Sequence, residues 1–169
     1  DLDCVLRGGQ ITDQSLIARH VGDLQIGVYV APSYVERLGA PAHPRELQNT
    51  DHCIVGFLSS RTSKIDPLVL CSENERIEIT GNYVLAVDDG NAYLEAGLVG
   101  LGVIALPNYM AAAHQAVGAL IPLFTQWRIS PMPLYLAFPP NRHVNAKLRV
   151  FIDWIVELME QHVPIANNQ

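Results

Sequence analysis

The segment from residue 84 to residue 107 constrains the fold of this chain most, because its pattern describes a strand, a helix and a second strand. An apolar run, 84–87, ends at an Asp-Asp-Gly run, 88–90, and small residues follow as far as Gly-Leu-Gly, 100–102. A second apolar run then ends at Pro107. Glycines stop helices, and short apolar runs between turn residues are typical of buried strands. The unit predicts an open α/β sheet, in which ligands bind outside the carboxyl ends of strands.

The same alternation of strands and helices continues along the chain. The patterns predict strands over 2–6, 24–30, 53–58, 67–71, 76–80, 83–87, 103–106, 119–123 and 134–138. They predict helices over 33–38, from Pro44 onward, over 91–99, over 109–117 and over 148–158. Asn108 and Asn145 are the expected caps of the last two helices, and the face of the final helix is expected to carry Leu148, Phe151, Ile152, Ile155 and Leu158.

Composition limits the classes of protein to which the chain can belong. Its 169 residues, 49% of them hydrophobic, suffice for one domain or two small lobes, and no apolar run approaches the length of a membrane helix. The net charge is -6 and the basic residues are scattered, so we expect that the chain by itself does not bind DNA. Three separated cysteines, Cys4, Cys53 and Cys71, are expected to be buried thiols in the reducing cytoplasm.

Five runs resemble the effector-binding domain of LysR-type transcriptional regulators. They are VLRGG at 5–9, DDGNAY at 88–93, GLGVIALP at 100–107, PLYLAFPPNRH at 133–143 and RVFIDW at 149–154. They occur in the order that the family has, and together they extend over nearly the whole chain.

The resemblance implies an α/β fold, namely a periplasmic-binding-protein-like, two-lobed effector domain with Rossmann-like open sheets. Lobe one would comprise residues 1–31 and 134–169, and lobe two residues 32–133, with crossings near 30–33 and 131–134. Because the first residues already form a strand, the first lobe is expected to be incomplete. In the family, a winged helix-turn-helix, a linker helix and a first strand-helix-strand turn precede this point.

Candidate ligand contacts lie in the loops after two predicted strands. Asp88, Asp89, Gly90 and Asn91 stand where a helix begins, so capping of that helix is the favoured interpretation. The alternative is that this loop offers backbone N–H groups to an anionic ligand. The second loop, 107–108, follows the second strand, and Pro107 and Tyr109 are candidate apolar walls, with core packing as the alternative.

Four further candidates come from other parts of the chain. Arg7 and Gly8 end the first strand, where a guanidinium could hold a carboxylate and glycine would admit a ligand, but a surface arginine in a turn is an equal alternative. Pro32 lies in one of the expected crossings. Phe57 is a candidate apolar wall of the cleft, with core packing as its alternative.

The residues give no support for an enzyme. Six histidines are present, but none forms a metal-ligand or nucleophile motif, and the hydroxyl-rich run 59–63 is more typical of a polar loop. Glycines at 97, 100 and 102 end a helix instead of opening one, so they do not form a dinucleotide fingerprint. We therefore expect no catalytic residues, no metal and no cofactor.

Taken with these patterns, the resemblance implies a small-molecule-sensing regulatory domain. An unidentified effector, with anionic molecules among the candidates, would bind between the lobes and change how a homodimer or tetramer presents its separate DNA-binding domains. No membrane partner is expected. The alternative is an exported, two-lobed solute-binding protein that serves a transporter.

Overall fold

The computed structural model describes residues 4–9, 11, 13–49, 51–59, 62–140 and 146–162. The chain divides into two compact units, of which the first comprises residues 1–25 and 131–169 and the second residues 26–130. The sequence placed these boundaries at 31/32 and 133/134. Residues 131–133 instead lie in the first unit, where Met132 pairs with Leu24, and residues 26–31 lie in the second unit. The reason is that the strand Ile26–Val30 pairs with strands of the second unit on both of its sides.

The elements that carry the two units are short strands and five helices in the described residues. In chain order they are β1 (Val5–Gly8), β2 (Ile17–Leu24), β3 (Ile26–Val30), α1 (Pro32–Leu38), α2 (Glu46–Asn49), β4 (Ile54–Phe57), β5 (Leu68–Cys71), β6 (Arg76–Ile79), β7 (Tyr83–Val87), α3 (Gly90–Leu98), β8 (Ile104–Pro107), α4 (Asn108–Ala116), β9 (Ile121–Leu123), β10 (Met132–Phe138) and α5 (Ala146–His162).

The first unit is an antiparallel sheet with one helix packed on it. Its strand order is β1-β10-β2, and α5 contacts β2. The buried core joins Val21 of β2 and Leu136 of β10 to Ile152 and Ile155 of α5. The predicted helix is therefore confirmed, but Phe151 is 42% exposed and does not belong to its buried face. The expected cap at Asn145 lies outside the described residues.

Strand β2 is an element that the sequence pattern missed. The alternating residues 24–30 suggested one strand, whereas the chain forms β2 up to Leu24 and β3 from Ile26. Gln25 separates them, and each strand belongs to a different unit. Polar side chains obscured β2, since Arg19, His20 and Asp23 interrupt its apolar pattern; His20 Nε2 and Asp23 Oδ1 are 2.9 Å apart.

The second unit is built on strands in the order β7-β4-β8-β3-β9. β4 pairs with β7 in parallel, and β3 pairs with β8 and β9 in antiparallel fashion. An isolated parallel bridge between Ile54 and Val103 joins β4 to the start of β8. The carboxyl ends of β7, β4, β8 and β9 consequently point to one edge of this sheet, while β3 begins there.

Alternate residues of this sheet enter two buried clusters, as the period of a strand requires. Val28, Ile54 and Val103 face the cluster that also contains residues of α1 and of the β5–β6 hairpin. Val55 and Ile104 face the cluster that contains α3 and α4. The hairpin, predicted from its polar turn, is confirmed by pairing from Leu68↔Ile79 to Cys71↔Arg76.

The glycines near the end of α3 have structural roles. A Cβ on Gly97 would overlap Ile104 Cδ1, so glycine lets α3 lie directly on β8. Gly100 has φ +76°, a conformation that side chains disfavour, and it turns the chain back into β8. These contacts explain the glycine pattern without a nucleotide.

Candidate functional site

The second unit brings most of the predicted site residues to one edge of its sheet. β4 ends at Phe57, which pairs with Val87 at the end of β7, and Asp88 follows directly. β8 ends at Pro107, which pairs with Ile26 at the start of β3. Phe57, the segment 88–91 and Pro107 therefore share the carboxyl edge. We call this edge, with these residues, the switch-point crevice.

The chain reverses its direction across the sheet at this crevice. From β4 it continues to β7 on one side, and α3 then carries it back to β8 on the other side of β4. Such a reversal separates the carboxyl ends of the two central strands, and open α/β sheets bind ligands there.

Tyr93 of α3 contacts both β4 and β8 at the crevice. Its hydroxyl oxygen accepts a hydrogen bond from the amide of Ala105 at 3.0 Å, in the region where β8 has left its bridge with β4. Its ring meets Phe57 edge-on, with 5.5 Å between the centroids. Burial raises the pKa of Tyr93 to about 12. The sequence suggested only packing or a dimer contact for this residue, since Ala105 lies 12 positions away and gives no local signal.

Asp89 caps α3, so the capping interpretation of this loop is confirmed. Its Oδ1 accepts from the amides of Asn91 and Ala92 at 3.0 and 2.9 Å. These are the N–H groups that an anionic ligand would need, and Asp88 adds a second, exposed carboxylate beside them. The geometry thus works against an anion at the start of α3.

Asn108 does not cap α4, contrary to its predicted role. The helix begins at Asn108 itself, after Pro107, which supplies no side-chain cap. The Asn108 Oδ1 accepts a hydrogen bond from the Tyr29 hydroxyl at 2.9 Å instead. A Cβ on Gly27 would overlap that hydroxyl oxygen and stand 2.8 Å from Asn108 Oδ1, so glycine at this position leaves room for the bond.

Two cavities flank the switch-point crevice within the second unit. One of about 150 Å³ lies beside Gly56, Phe57 and Tyr93. The other, of about 260 Å³, lies beside Gly27, Tyr29 and Asn108, at the end of β9. We call the larger one the Asn108 cavity.

Three predicted site residues lie elsewhere. Arg7 and Gly8 end β1 in the first unit, where they pair with Tyr135 and Leu134 of β10. Their proposed role stays a prediction. Pro32 begins α1 after β3, and because β3 runs antiparallel to β8, Pro32 lies at the opposite edge of the sheet from Pro107. Pro32 is therefore removed from the candidate site.

His20, His43 and His52 make structural contacts. His52 is buried, its Nδ1 is 3.0 Å from the hydroxyl of Tyr34, and its Nε2 is 3.9 Å from Glu46 Oε2. His43 contacts Trp127 edge-on at 5.2 Å. His143 and the side chain of His162 lie outside the described residues.

The described residues offer few side chains for metal binding or thiol chemistry. In the described part of the chain, no group of three or more His, Cys, Asp or Glu side chains is placed to hold a metal ion. The three cysteines are free and half-buried, where the sequence predicted burial, because Cys4 and Cys53 precede the strands β1 and β4 and Cys71 is the last residue of β5. Across these same residues, no helix is both long and apolar enough to cross a membrane.

Comparisons with known proteins agree on one family. The family described as the LysR substrate binding domain matches residues 1–160. A transcriptional repressor of Pseudomonas aeruginosa, named HTH-type transcriptional repressor PA14_22550, is 29% identical over 164 residues, which are 97% of this chain and 51% of the relative. The HTH-type transcriptional regulator CrgA of Neisseria meningitidis serogroup B is 29% identical over 157 residues, 92% of this chain and 51% of that protein. The chain thus spans about half the length of these relatives.

Solved structures show the same fold. The regulatory domain of CrgA, a LysR-type transcriptional regulator from Neisseria meningitidis, superposes with a TM-score of 0.74 at 28% identity, covering 93% of this chain and 75% of that one. The regulatory domain of AphB in Vibrio vulnificus gives a TM-score of 0.71 at 25% identity, covering 92% and 75%.

Proposed function

Because this chain belongs to the LysR substrate-binding domain family, we propose that it is the small-molecule-sensing part of a transcriptional regulator. The match over residues 1–160 is the observation that carries this proposal. The relatives are named as transcriptional regulators and not as enzymes or exported receptors, which favours a regulator over a solute-binding protein of a transporter.

DNA binding is assigned to a helix-turn-helix outside these 169 residues. The relatives are about twice as long as the chain and carry the term HTH in their names. The net charge of -6 supports this division, since a surface of that sign repels the phosphate backbone. The working form is a homodimer or tetramer in the cytoplasm.

The effector is placed in the switch-point crevice, against Phe57, Gly90, Asn91 and Pro107, with Asp88 at the rim. Phe57 is 36% exposed although it ends a buried strand, which leaves an aromatic surface for a ligand. The effector must bind one of two conformations more tightly than the other. A coupling of about 1–3 kcal/mol changes the affinity for DNA roughly 5- to 150-fold.

The test uses the protein that contains this chain. Genomic DNA fragments that bind this longer protein are recovered and sequenced, in the presence and in the absence of each compound of a metabolite library. The chain alone is the control. The proposal predicts discrete DNA sites for the longer protein, at least one compound that changes their occupancy, and no selection by the chain alone. Uniform recovery of fragments by the longer protein would refute it.

The crevice is tested with a matched pair of variants. Phe57→Ala should remove the thermal stabilisation that an active compound gives. Phe151→Ala truncates a similarly exposed phenylalanine on α5, 42% against 36%, and should leave that stabilisation intact. Equal loss in both variants, or loss in neither, would contradict the proposed site.

A further inference from the structure

A further cavity of the second unit lies against the turn of the β5–β6 hairpin. Its volume is about 600 Å³, within the range of about 300–1,000 Å³ that small-molecule sites occupy. Three separate segments line it, at 42–43, at 72–74 and at 126–128, and we call it the hairpin cavity. It contains none of the residues of the switch-point crevice, and it shares only Trp127 with the Asn108 cavity.

Backbone hydrogen bonds and one ring contact hold these three segments together. The amides of Cys71 and Arg128 each donate to the carbonyl of the other, at 2.8 and 2.7 Å, which joins the hairpin to the chain after β9. The amide of Trp127 donates to the carbonyl of Phe124 at 2.8 Å, and the Trp127 ring meets His43 of the remaining segment edge-on. Walls that are already in place lose little entropy when a ligand binds, so the cavity is preorganised.

The charges that line the hairpin cavity balance one another. Arg128 and Glu73 are both exposed, and neither side chain has a partner among the described residues. The nitrogens of His43 are engaged elsewhere, because Nδ1 accepts from the amide of Arg45 at 3.2 Å and Nε2 lies 3.7 Å from Glu75 Oε2. One guanidinium and one carboxylate thus remain for a ligand. Such a pair attracts neither an anion nor a cation over a neutral polar molecule.

The other walls offer many hydrogen-bonding groups beside one aromatic ring. Asn74 and Gln126 carry carboxamides that are exposed and, in the part of the chain that the structure describes, have no side-chain partners. Each carboxamide supplies two N–H donors and an acceptor oxygen, and the Arg128 guanidinium supplies five donors. The half-buried indole of Trp127 adds an apolar surface. A matching ligand carries several hydroxyl groups and one apolar face.

We propose that the hairpin cavity binds a neutral pyranose sugar, whose C–H face packs on Trp127 while its hydroxyls bond to Asn74, Gln126 and Arg128. A hydroxyl both donates and accepts, so Glu73 can take part as an acceptor. These exposed groups exchange bonds to water for bonds to the sugar, so the net gain is small and the Kd should be roughly 1 mM. The proposal goes beyond the proposed function, because the cavity is separate from the crevice and its occupancy does not require DNA.

D-glucose, D-galactose and D-mannose are the probes, and D-mannitol, an open-chain polyol without a ring face, is their control. The chain has two tryptophans, so Trp154→Phe leaves Trp127 as the only one. In that background at least one of the three sugars should change Trp127 emission saturably. Mannitol should bind roughly tenfold more weakly, because it has no rigid C–H face to pack on the indole. No saturable change with any of the three sugars, or equal binding of mannitol, would overturn the proposal.

Arg128→Ala tests whether the sugar lies in the hairpin cavity. The backbone bonds to Cys71 do not depend on this side chain, so the walls should stay in place. Sugar affinity should fall roughly fivefold or more, because hydrogen bonds to a charged group are lost. Arg149→Ala removes an exposed arginine on α5, in the first unit, and should bind the sugar normally. Equal affinities of these two variants would overturn the assignment.

The double variant Asn74→Ala/Gln126→Ala removes both carboxamides of the cavity. Its affinity for the sugar should fall roughly tenfold or more, since two side chains lose their bonds. Its melting temperature should stay unchanged, because both side chains are exposed and make no side-chain bond within the described residues. Unchanged affinity would overturn the proposal. The assay contains no DNA and leaves the crevice intact, so its failure is distinct from failure of the proposed regulator.

Discussion

Removal of the Tyr93 hydroxyl should destabilise the second unit through one backbone amide. In Tyr93→Phe the amide of Ala105 loses its acceptor at 3.0 Å, while the ring and its packing on Phe57 remain. Tyr93 is 7% exposed, so the amide lies where water does not readily replace the hydroxyl. A buried donor left without its partner costs about 1–3 kcal/mol.

Urea unfolding followed by far-UV circular dichroism measures this loss. The matched control is Tyr109→Phe, because Tyr109 is 68% exposed on α4. Its effect should stay within about 0.5 kcal/mol, as for most surface substitutions. Equal free energies of unfolding for the two variants would refute the role that we assign to the Tyr93 hydroxyl.

The same variant should alter the dependence of stability on pH. Burial raises the pKa of Tyr93 from 10.0 to about 12 in the folded chain. Between these values the unfolded chain loses a proton that the folded chain keeps, so stability falls as pH rises, by up to about 1.4 kcal/mol per pH unit. Tyr93→Phe lacks this group. The stability advantage of the wild type over Tyr93→Phe should therefore narrow above pH 10, and an advantage that grows there would contradict the account.

Three more predictions concern the helix cap at Asp89, the close packing at Gly27 and the net charge of the chain. Asp89→Ala removes two capping hydrogen bonds and should lower the free energy of unfolding by about 1 kcal/mol. Asp88→Ala should change it by less than about 0.5 kcal/mol, and equal effects of the two variants in thermal melts would contradict the capping role of Asp89. Gly27→Ala should cost about 1–3 kcal/mol through its overlap with Tyr29, whereas Gly90→Ala, which meets only Met110 Cε at 3.8 Å, should not destabilise the chain in the same melts. The chain alone, with its net charge of -6, should not retard duplex DNA in gel-shift assays at physiological salt, and a shift there would place DNA contacts within it.

The features that the sequence predicted correctly depend on neighbouring residues. The strand-helix-strand unit, the β5–β6 hairpin and the cap at Asp89 each arise from apolar runs, turn residues and side-chain bonds within a few positions. Such local signals survive folding because the elements that they specify are continuous in the chain. This is why Phe57, the segment 88–91 and Pro107 could be proposed together.

The features that the sequence missed depend on pairing between distant residues. The Tyr29 hydroxyl donates a hydrogen bond to Asn108, which is 79 positions away in the sequence. No local pattern signals this bond, so the sequence favoured a helix cap at Asn108 instead. Pro32 was assigned to the site although the antiparallel direction of β3 takes it to the opposite edge. Strand direction follows from tertiary pairing, and no periodicity in residues 26–32 encodes it.

Hydrogen exchange of the chain with a compound that changes DNA occupancy tests the central claim most directly. The account predicts slower exchange at the amides of residues 57–59, 88–92 and 108–111, which surround the switch-point crevice. Protection should weaken at these amides in Phe57→Ala and persist in Phe151→Ala. Protection confined to other segments, with these three unchanged, would contradict the claim that the chain senses a small molecule at this edge of its sheet.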